Sequence, residues 1–142
     1  MDITFSLPHV FYPGSNPEDN AYALQILLDM LVRQNMAYLR NHAVLPLYQS
    51  GVVYGRTQVW DTLPALYARR KGDCKSLTGV RVAELKMIGH EARPVFRFAV
   101  TPEGKHLFHI LVERFENGQI FYEDPSRILG MNQDELRYFN NF

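Results

Sequence analysis

The dipeptide Asn117-Gly118 constrains the fold of this chain more than any other sequence feature. It separates two stretches rich in β-favouring residues, Leu107 to Phe115 and Gln119 to Glu123. Between stretches of this kind, an Asn-Gly pair is the strongest short-range signal for a two-residue hairpin turn. The sequence therefore predicts two antiparallel strands with a fixed register.

That register brings a histidine and an acid together. A two-residue loop pairs Leu111 with Asp124, so Asp124 becomes the diagonal neighbour of His109 on one face of the hairpin. His106 has the opposite parity and is predicted to point to the other face. A slip to a three-residue loop would reverse this choice between the two histidines.

Helix and strand signals occupy much of the remaining chain. Asn16-Pro17 supplies an N-cap and a proline at the first helical position, and the apolar stripe that follows predicts a long helix to about Asn41. A brief strand is predicted at Val52 to Tyr54, a short helix from Leu63 to Arg70, and a half-buried strand from Ala92 to Val100.

The two ends of the chain carry weaker signals. Ile3 to Leu7 alternates as a short strand would, and Asn132 to Leu136 resembles a capping box that opens a final helix. We expect the aromatic tail to pack back onto the domain; its residues are Tyr138, Phe139 and Phe142. Early helices followed by a small antiparallel sheet predict one α+β domain over residues 1–142.

Composition narrows the possible partners and the compartment. The apolar fraction of 46% is that of a compact globular protein, and the net charge of zero argues against nucleic acid or an anionic membrane as the main partner. The N-terminus lacks the pattern of a secretory signal, and no stretch is apolar enough to span a bilayer. A single cysteine allows no internal disulfide. These features favour a cytoplasmic protein or a component of an assembly.

Cys74, the only cysteine, is placed as a nucleophile would be. It follows Gly72-Asp73 and precedes a series of apolar residues with helical spacing. Gly89 ends this series, so the pattern predicts a helix with Cys74 in its first turn. The unpaired N–H groups and positive end of a helix favour the thiolate, so we expect a lowered thiol pKa. Further positive charge is supplied nearby by Arg69, Arg70, Lys71 and Lys75.

Cys74, His109 and Asp124 together form the parts of a thiol acyl-transfer triad. Each has an ordinary structural interpretation by itself, because a lone cysteine is commonly a small buried hydrophobe and a strand histidine is commonly a core residue. Their joint arrangement, with the last two brought together by an identifiable turn, favours catalysis over that interpretation.

The same residues resemble the transglutaminase-like superfamily of papain-fold cysteine enzymes. Lys71 to Cys74 is similar to the family's Gly-x-Cys nucleophile helix, which here ends in Ile88 to Arg93. His109 to Glu113 resembles the His-Ala-Trp-Val-Glu strand, and Asp124 to Ser126 resembles the Asp-Pro-Thr segment. These motifs occur in the family's order between Val52 and Ser126.

The resemblance implies a papain-like core, with a nucleophile helix packed on a small antiparallel sheet, and a role for each residue. Cys74 would attack an amide or ester carbonyl to form a thioester, His109 would exchange the proton, and Asp124 would orient the ring. The Cys74 backbone N–H and a side chain from the preceding loop would stabilise the oxyanion. The candidates for that side chain are Tyr54, which resembles an aromatic residue of the family, followed by Gln58 and Trp60.

The positions at which this chain departs from the family pattern bear on the choice of substrate more than on the roles of the triad residues. Leu111 stands where the family has tryptophan, and His90-Glu91 replaces Ile-Pro. The resemblance implies a protein or peptide substrate, with water or an amine as the acceptor. Nothing in the sequence implies a cofactor or a calcium site.

Two alternatives stay open at this point. The first is a metal site, because Cys74, His106, His109 and Asp124 are all acceptable zinc ligands, although the two histidines face opposite ways on a strand. The second is a catalytically idle fold that serves as a structural or interaction module in a larger assembly, for instance one of a bacterium or its phage.

Overall fold

The computed structural model of the chain describes residues 16–104, 106–132, 134 and 137–139. The strand predicted at Ile3 to Leu7 lies outside these residues, as do Glu135, Leu136 and Phe142 of the predicted tail. The described part contains helices, a three-stranded antiparallel sheet and a two-stranded parallel ribbon. The predicted α+β class is confirmed.

The elements follow one another in a simple order. Helix α1 (Pro17–Asn41) leads through a loop to strand β1 (Val53–Tyr54), helix α2 (Leu63–Arg69), strand β2 (Lys71–Gly72) and helix α3 (Cys74–Met87). The sheet strands β3 (Glu91–Val100), β4 (His106–Glu116) and β5 (Gln119–Glu123) come next, and the short helix α4 (Pro125–Ile128) follows. Short 3₁₀ turns lie at Leu47–Gln49 and Arg137–Phe139.

Helix α1 begins where the sequence predicts. The Asn16 side chain accepts a hydrogen bond of 2.8 Å from the backbone N–H of Glu18, and Pro17 occupies the first helical position. The helix continues to Asn41, as expected from its apolar stripe. Its length is therefore set by an identifiable cap and by the burial of one face.

The hairpin has the predicted register. Asn117 and Gly118 both have positive φ, 51° and 77°, which is the conformation of a type I′ turn. Glu116 pairs with Gln119 and Val112 pairs with Glu123, as predicted, and Asp124 follows directly after the last paired residue as the N-cap of α4. Strand β4 lies in the middle of the sheet, between β3 and β5.

Helix α3 is the centre of the core. Nine of its residues are buried, and it packs against both α1 and the sheet. A Cβ atom added at Gly79 would lie 2.9 Å from Leu31 Cδ2, so this glycine allows the close approach of α1. Two clusters of buried side chains form around α3: Val32, Val82, Ala83, Leu85, Ala92 and Val112, and Leu47, Val52, Leu63, Leu66, Leu77 and Val80.

The ribbon of β1 and β2 was not fully predicted. The sequence indicates a brief strand at Val53 and Tyr54, but its parallel partner, Lys71 and Gly72, carries no strand signal because two residues show no periodicity. The ribbon attaches the loop before α2 to the residues that lead into Cys74. Within the described residues, no helix combines the length and apolar character needed to span a membrane.

Candidate active site

Cys74 is the first residue of α3, where the sequence predicts it. Gly72 precedes it in a buried position, and a Cβ atom there would lie 2.4 Å from Leu66 Cδ1. Asp73 occupies the N-cap position but makes no capping hydrogen bond. The first N–H groups of α3 are therefore not satisfied by the side chain that ordinarily satisfies them.

Both backbone polar groups of Ile110 in β4 contact α3. The carbonyl oxygen of Ile110 accepts a hydrogen bond of 3.3 Å from the Thr78 hydroxyl, and the Ile110 backbone N–H, which favours the thiolate, lowers the pKa of Cys74. Thr78 is four residues after Cys74, so both side chains lie on the same face of the helix. These two contacts hold the sulfur beside the residue that follows His109.

His109 and Asp124 form a direct hydrogen bond. His109 Nε2 lies 2.9 Å from Asp124 Oδ2, and only 2% of the histidine is exposed. The other carboxylate oxygen of Asp124 accepts a bond of 3.2 Å from the backbone N–H of Arg127, so Asp124 also caps α4. Because Nε2 is bound to the acid, Nδ1 is the ring nitrogen left to exchange a proton with a substrate or a thiol.

The structure brings Cys74 to the strand of His109 without joining the two side chains. In the described part of the chain, no hydrogen bond links the sulfur to the imidazole. The histidine and the acid are paired, and the sulfur is held at the adjacent backbone position.

The expected lowering of the thiol pKa is wrong for this state of the protein. Burial, followed by the negative charge of Asp73, raises the pKa of Cys74 to about 12. The Ile110 N–H and the positive charge of Lys75 act in the opposite direction but are outweighed. A helix N-terminus favours a thiolate only when solvent or positive charge also reaches the sulfur, and here the surroundings keep the thiol neutral.

The positive residues near Cys74 are largely engaged elsewhere. The Lys75 ammonium is 8% exposed and pairs with the Asp73 carboxylate. Arg69 pairs with Asp61 at 2.7 Å. Arg70 and Lys71 are exposed on the surface. The charge run therefore supplies less positive potential to the sulfur than the sequence suggests.

The loop from Gly55 to Asp61 is bound to the start of α3 at three points. Gly55 N–H donates to the Gly72 carbonyl at 2.9 Å, Lys75 Nζ donates to the Thr57 carbonyl at 2.8 Å, and Asp61 N–H donates to Ser76 Oγ at 2.9 Å. The loop is thus held across the end of the helix that carries Cys74.

The three candidate oxyanion donors lie on or beside this loop. Tyr54 is half-buried and packs against the second core cluster. Gln58 is exposed, and Trp60 is half-buried between the anchored residues Thr57 and Asp61. Gln58 and Trp60 thus belong to the loop that is anchored to the start of α3, whereas the Tyr54 side chain packs in part against the core.

A network of charged residues holds the end of β5 immediately before Asp124. Arg81 Nε and the Tyr48 hydroxyl both donate to Glu123 Oε2 at 2.6 Å, and Arg81 also pairs with Glu84 at 3.2 Å. Burial alone would raise the pKa of Glu123, but the bonds from Arg81 and Tyr48 outweigh it and lower the pKa below its ordinary value. The network fixes the backbone position from which Asp124 extends.

Phe139 packs back onto the domain, as the sequence predicts for the aromatic tail, and it does so beside His109. The Phe139 side chain is 7% exposed, and its ring centroid lies 5.4 Å from that of His109. A small cavity of about 120 Å³ opens beside the pair and is bordered also by Tyr122 and Arg127. The aromatic ring therefore shields one side of the imidazole from solvent.

The described residues do not provide the ligands for the metal site that the sequence leaves open. Among the residues that the structure describes, no three His, Cys, Asp or Glu side chains are grouped as a metal ion requires. The side chain of His106, one of the four candidates, lies outside the described residues, although its backbone begins β4. His109 and Asp124 are bonded to each other.

Several residues of the site have no clear signal in the sequence. Ile110 contributes only backbone atoms, which no motif marks. Thr78 could have been found from its spacing of four residues after Cys74. The helix α4 after Asp124 was also predictable, because an aspartate followed by proline is a common helix start.

The comparisons with known proteins identify a similar solved structure. No family model matches the chain, and no curated protein matches it. The chain is similar to the crystal structure of the periplasmic domain of TgpA from Pseudomonas aeruginosa bound to ethylmercury, with 19% identity and a TM-score of 0.44. The match covers 84% of this chain and 48% of that one, so this chain spans about half the length of its structural neighbour.

Proposed function

We propose that this protein catalyses thiol-dependent acyl transfer on an amide or ester of a protein or peptide, with Cys74 as nucleophile, His109 as acid and base, and Asp124 as the residue that orients the imidazole. The observation that carries the proposal is the His109–Asp124 hydrogen bond of 2.9 Å beside the strand residue that binds the Cys74 sulfur. The motif resemblance to transglutaminase-like enzymes supports the same roles.

The first half of the reaction transfers the acyl group to sulfur. His109 Nδ1 accepts the proton of the Cys74 thiol as the sulfur attacks the carbonyl carbon, and Asp124 stabilises the imidazolium that forms. When the tetrahedral intermediate collapses, the bond to the leaving amine or alcohol breaks and His109 returns the proton to that group. The product is a thioester on Cys74.

The second half regenerates the thiol. Water or an amine attacks the thioester carbonyl while His109 accepts its proton, and the carbon–sulfur bond then breaks as the sulfur recovers a proton. Water as acceptor gives hydrolysis or deamidation, and an amine gives a crosslink. The triad performs the same steps with either acceptor, so it does not by itself select between them.

Stabilisation of the oxyanion would come from the helix start. The Cys74 backbone N–H lies at an N-terminus that Asp73 does not cap, which leaves a donor directed out of the helix. Tyr54, Gln58 or Trp60 would supply the second donor, and the last two lie on the loop anchored at Thr57 and Asp61.

The raised thiol pKa indicates at which step of the reaction the thiol proton is transferred. Because the pKa of Cys74 is about 12, the resting enzyme holds a neutral thiol rather than an ion pair. The base must therefore act during attack on the substrate. This assigns to His109 a kinetic role that His109→Ala should remove, with a loss of about 100-fold or more in rate.

The test is a panel of substrates with wild-type protein and three variants. A glutamine-containing peptide is incubated with and without a primary amine, and mass spectrometry separates cleavage, deamidation and amine incorporation. Cys74→Ala should abolish every product, whereas His109→Ala and Asp124→Asn should reduce the rate. Native circular dichroism of each variant serves as the folding control.

Two results would contradict the proposal. Turnover that survives in Cys74→Ala would assign the chemistry to other residues. If wild-type protein reacts no faster than Cys74→Ala with peptides and with activated esters, the idle interaction module becomes the better account of the fold.

A further inference from the structure

A groove of about 760 Å³ lies away from the candidate active site, between α1, the C-terminal end of α3 and the start of β3. Its floor is formed by the apolar residues Val32, Ala92 and Pro94, all of them buried, and polar side chains supply much of the remaining lining. Lys86 borders the groove twelve residues after Cys74 along α3, which at 1.5 Å per residue separates the two by roughly 18 Å. A ligand in this groove would not contact the sulfur.

Four cations border the groove. They are Arg33 and Arg40 of α1, Lys86 of α3 and Arg93 of β3. Arg33 and Arg40 are seven residues apart, two helical turns, and so lie on one side of α1. Positive charge is therefore gathered from three separate elements of the fold.

Most of this charge is not neutralised by neighbouring acids. Arg93 pairs with Glu113 at 2.7 Å, but in the described residues no carboxylate pairs with Arg33, Arg40 or Lys86. All three side chains are exposed. Elsewhere the half-buried cations have partners, as in the pairing of Arg81 with Glu123.

Helix ends account for only part of this arrangement. Arg40 and Lys86 lie in the last turns of their helices, where the partial negative charge of roughly half a unit favours a cation. Arg33 lies in the middle of α1 and has no such explanation. Asp29, also on the rim, bonds to the Gln25 amide at 3.0 Å and offsets one charge. A positive surplus therefore remains over an apolar floor.

We propose that this groove binds an acidic peptide segment of a partner protein, one that presents apolar side chains between its carboxylates. The cations would pair with the carboxylates, and the apolar side chains would lie on the floor formed by Val32, Ala92 and Pro94. A volume of about 760 Å³ falls in the range of sites that hold small ligands or a few residues of a peptide. Nucleic acid fits less well, because its regularly charged backbone would meet Asp29 and leave the apolar floor unused.

The binding test uses the whole chain and two labelled peptides of equal length. One alternates aspartate with leucine, and the other alternates lysine with leucine. Fluorescence anisotropy gives each Kd at low salt and again at higher salt. The acidic peptide should bind, the basic peptide should not, and affinity should fall as salt rises.

Three variants locate the binding surface. Arg33→Glu should weaken binding of the acidic peptide about tenfold, since it removes one attraction and adds one repulsion. Lys71→Glu makes the same change in net charge at an exposed residue outside the groove and should leave the Kd within about twofold. Asp29→Asn should strengthen binding about two- to threefold, an improvement that a damaged fold does not produce.

The alternatives have distinct outcomes. Equal losses in Arg33→Glu and Lys71→Glu would show a general charge effect and overturn the proposal. Tighter binding of a single-stranded oligonucleotide than of the acidic peptide, with the same loss in Arg33→Glu, would assign the groove to nucleic acid. Absence of acidic-peptide binding at low salt would also overturn it. None of these results depends on the chemistry of Cys74.

Discussion

Asp73→Asn is expected to make the Cys74 thiol easier to ionise. The carboxylate of Asp73 is the second cause, after burial, of a thiol pKa of about 12. It also pairs with the Lys75 ammonium, whose charge acts in the opposite direction. Replacement by the nearly isosteric amide removes the adverse charge and releases the favourable one. Both effects lower the thiol pKa.

The size of the change follows from the charge that is removed. A unit charge about 6 Å from the sulfur, at an effective dielectric constant of about 20, interacts with it by about 3 kcal/mol, and partial solvent screening reduces this to a shift of about one to two pKa units. Asp73 makes no capping hydrogen bond, so the variant does not lose the start of α3. Burial is unchanged, and the pKa of Cys74 should remain above that of a free thiol.

The assay is the rate of alkylation by iodoacetamide as a function of pH. Below the thiol pKa, the rate follows the thiolate fraction, although each thiolate becomes less nucleophilic as its pKa falls. A shift of one to two units should therefore accelerate alkylation about three- to tenfold near neutral pH. Lys75→Met is the matched control, because loss of the favourable charge should slow the reaction.

One result would refute this reasoning. If Asp73→Asn reacts at the wild-type rate or more slowly while its circular dichroism is unchanged, the charge of Asp73 does not set the ionisation of Cys74. Wild-type labelling that is already rapid at pH 6 would contradict the raised pKa itself.

Other predictions concern stability and are measured by urea unfolding. Gly72→Ala should lower the free energy of unfolding by about 1 to 3 kcal/mol, because its Cβ would lie 2.4 Å from Leu66 Cδ1. Gly118→Ala meets open space and should lower it by about 1 kcal/mol, through the positive φ alone. Equal losses in the two variants would contradict the packing argument. The pKa of Glu123 is lowered in the folded protein, so its carboxylate stabilises the fold above the unfolded pKa of 4.5, and this stability is lost as pH falls. Glu123→Gln should have a lower free energy of unfolding than wild type at neutral pH, and the difference should narrow toward about pH 4. A difference that does not change with pH would show that ionisation of Glu123 does not stabilise the fold.

The features predicted from the sequence are those set by local chemistry. The start of α1 depends on Asn16 and Pro17, and the hairpin depends on Asn117 and Gly118. Each rests on a backbone conformation that only a few residue types favour. The pairing of His109 with Asp124 follows once that register is fixed.

Features set by the tertiary environment were not predictable in the same way. The thiol pKa depends on burial and on which acid meets Lys75, and neither quantity is visible in the sequence. The contact of the Cys74 sulfur with Ile110 uses only a backbone group of β4. The ribbon of β1 and β2 is too short to leave a periodic pattern.

The most direct test of the central claim is intact-protein mass spectrometry after stoichiometric reaction with a nitrophenyl ester. If Cys74, His109 and Asp124 act as one unit, wild-type protein should gain a single acyl group, mapped to Cys74, that hydroxylamine removes as expected for a thioester. His109→Ala should acylate about 100-fold more slowly and Asp124→Asn should also be slowed. Acylation of Cys74 at the same rate in all three proteins would contradict the claim.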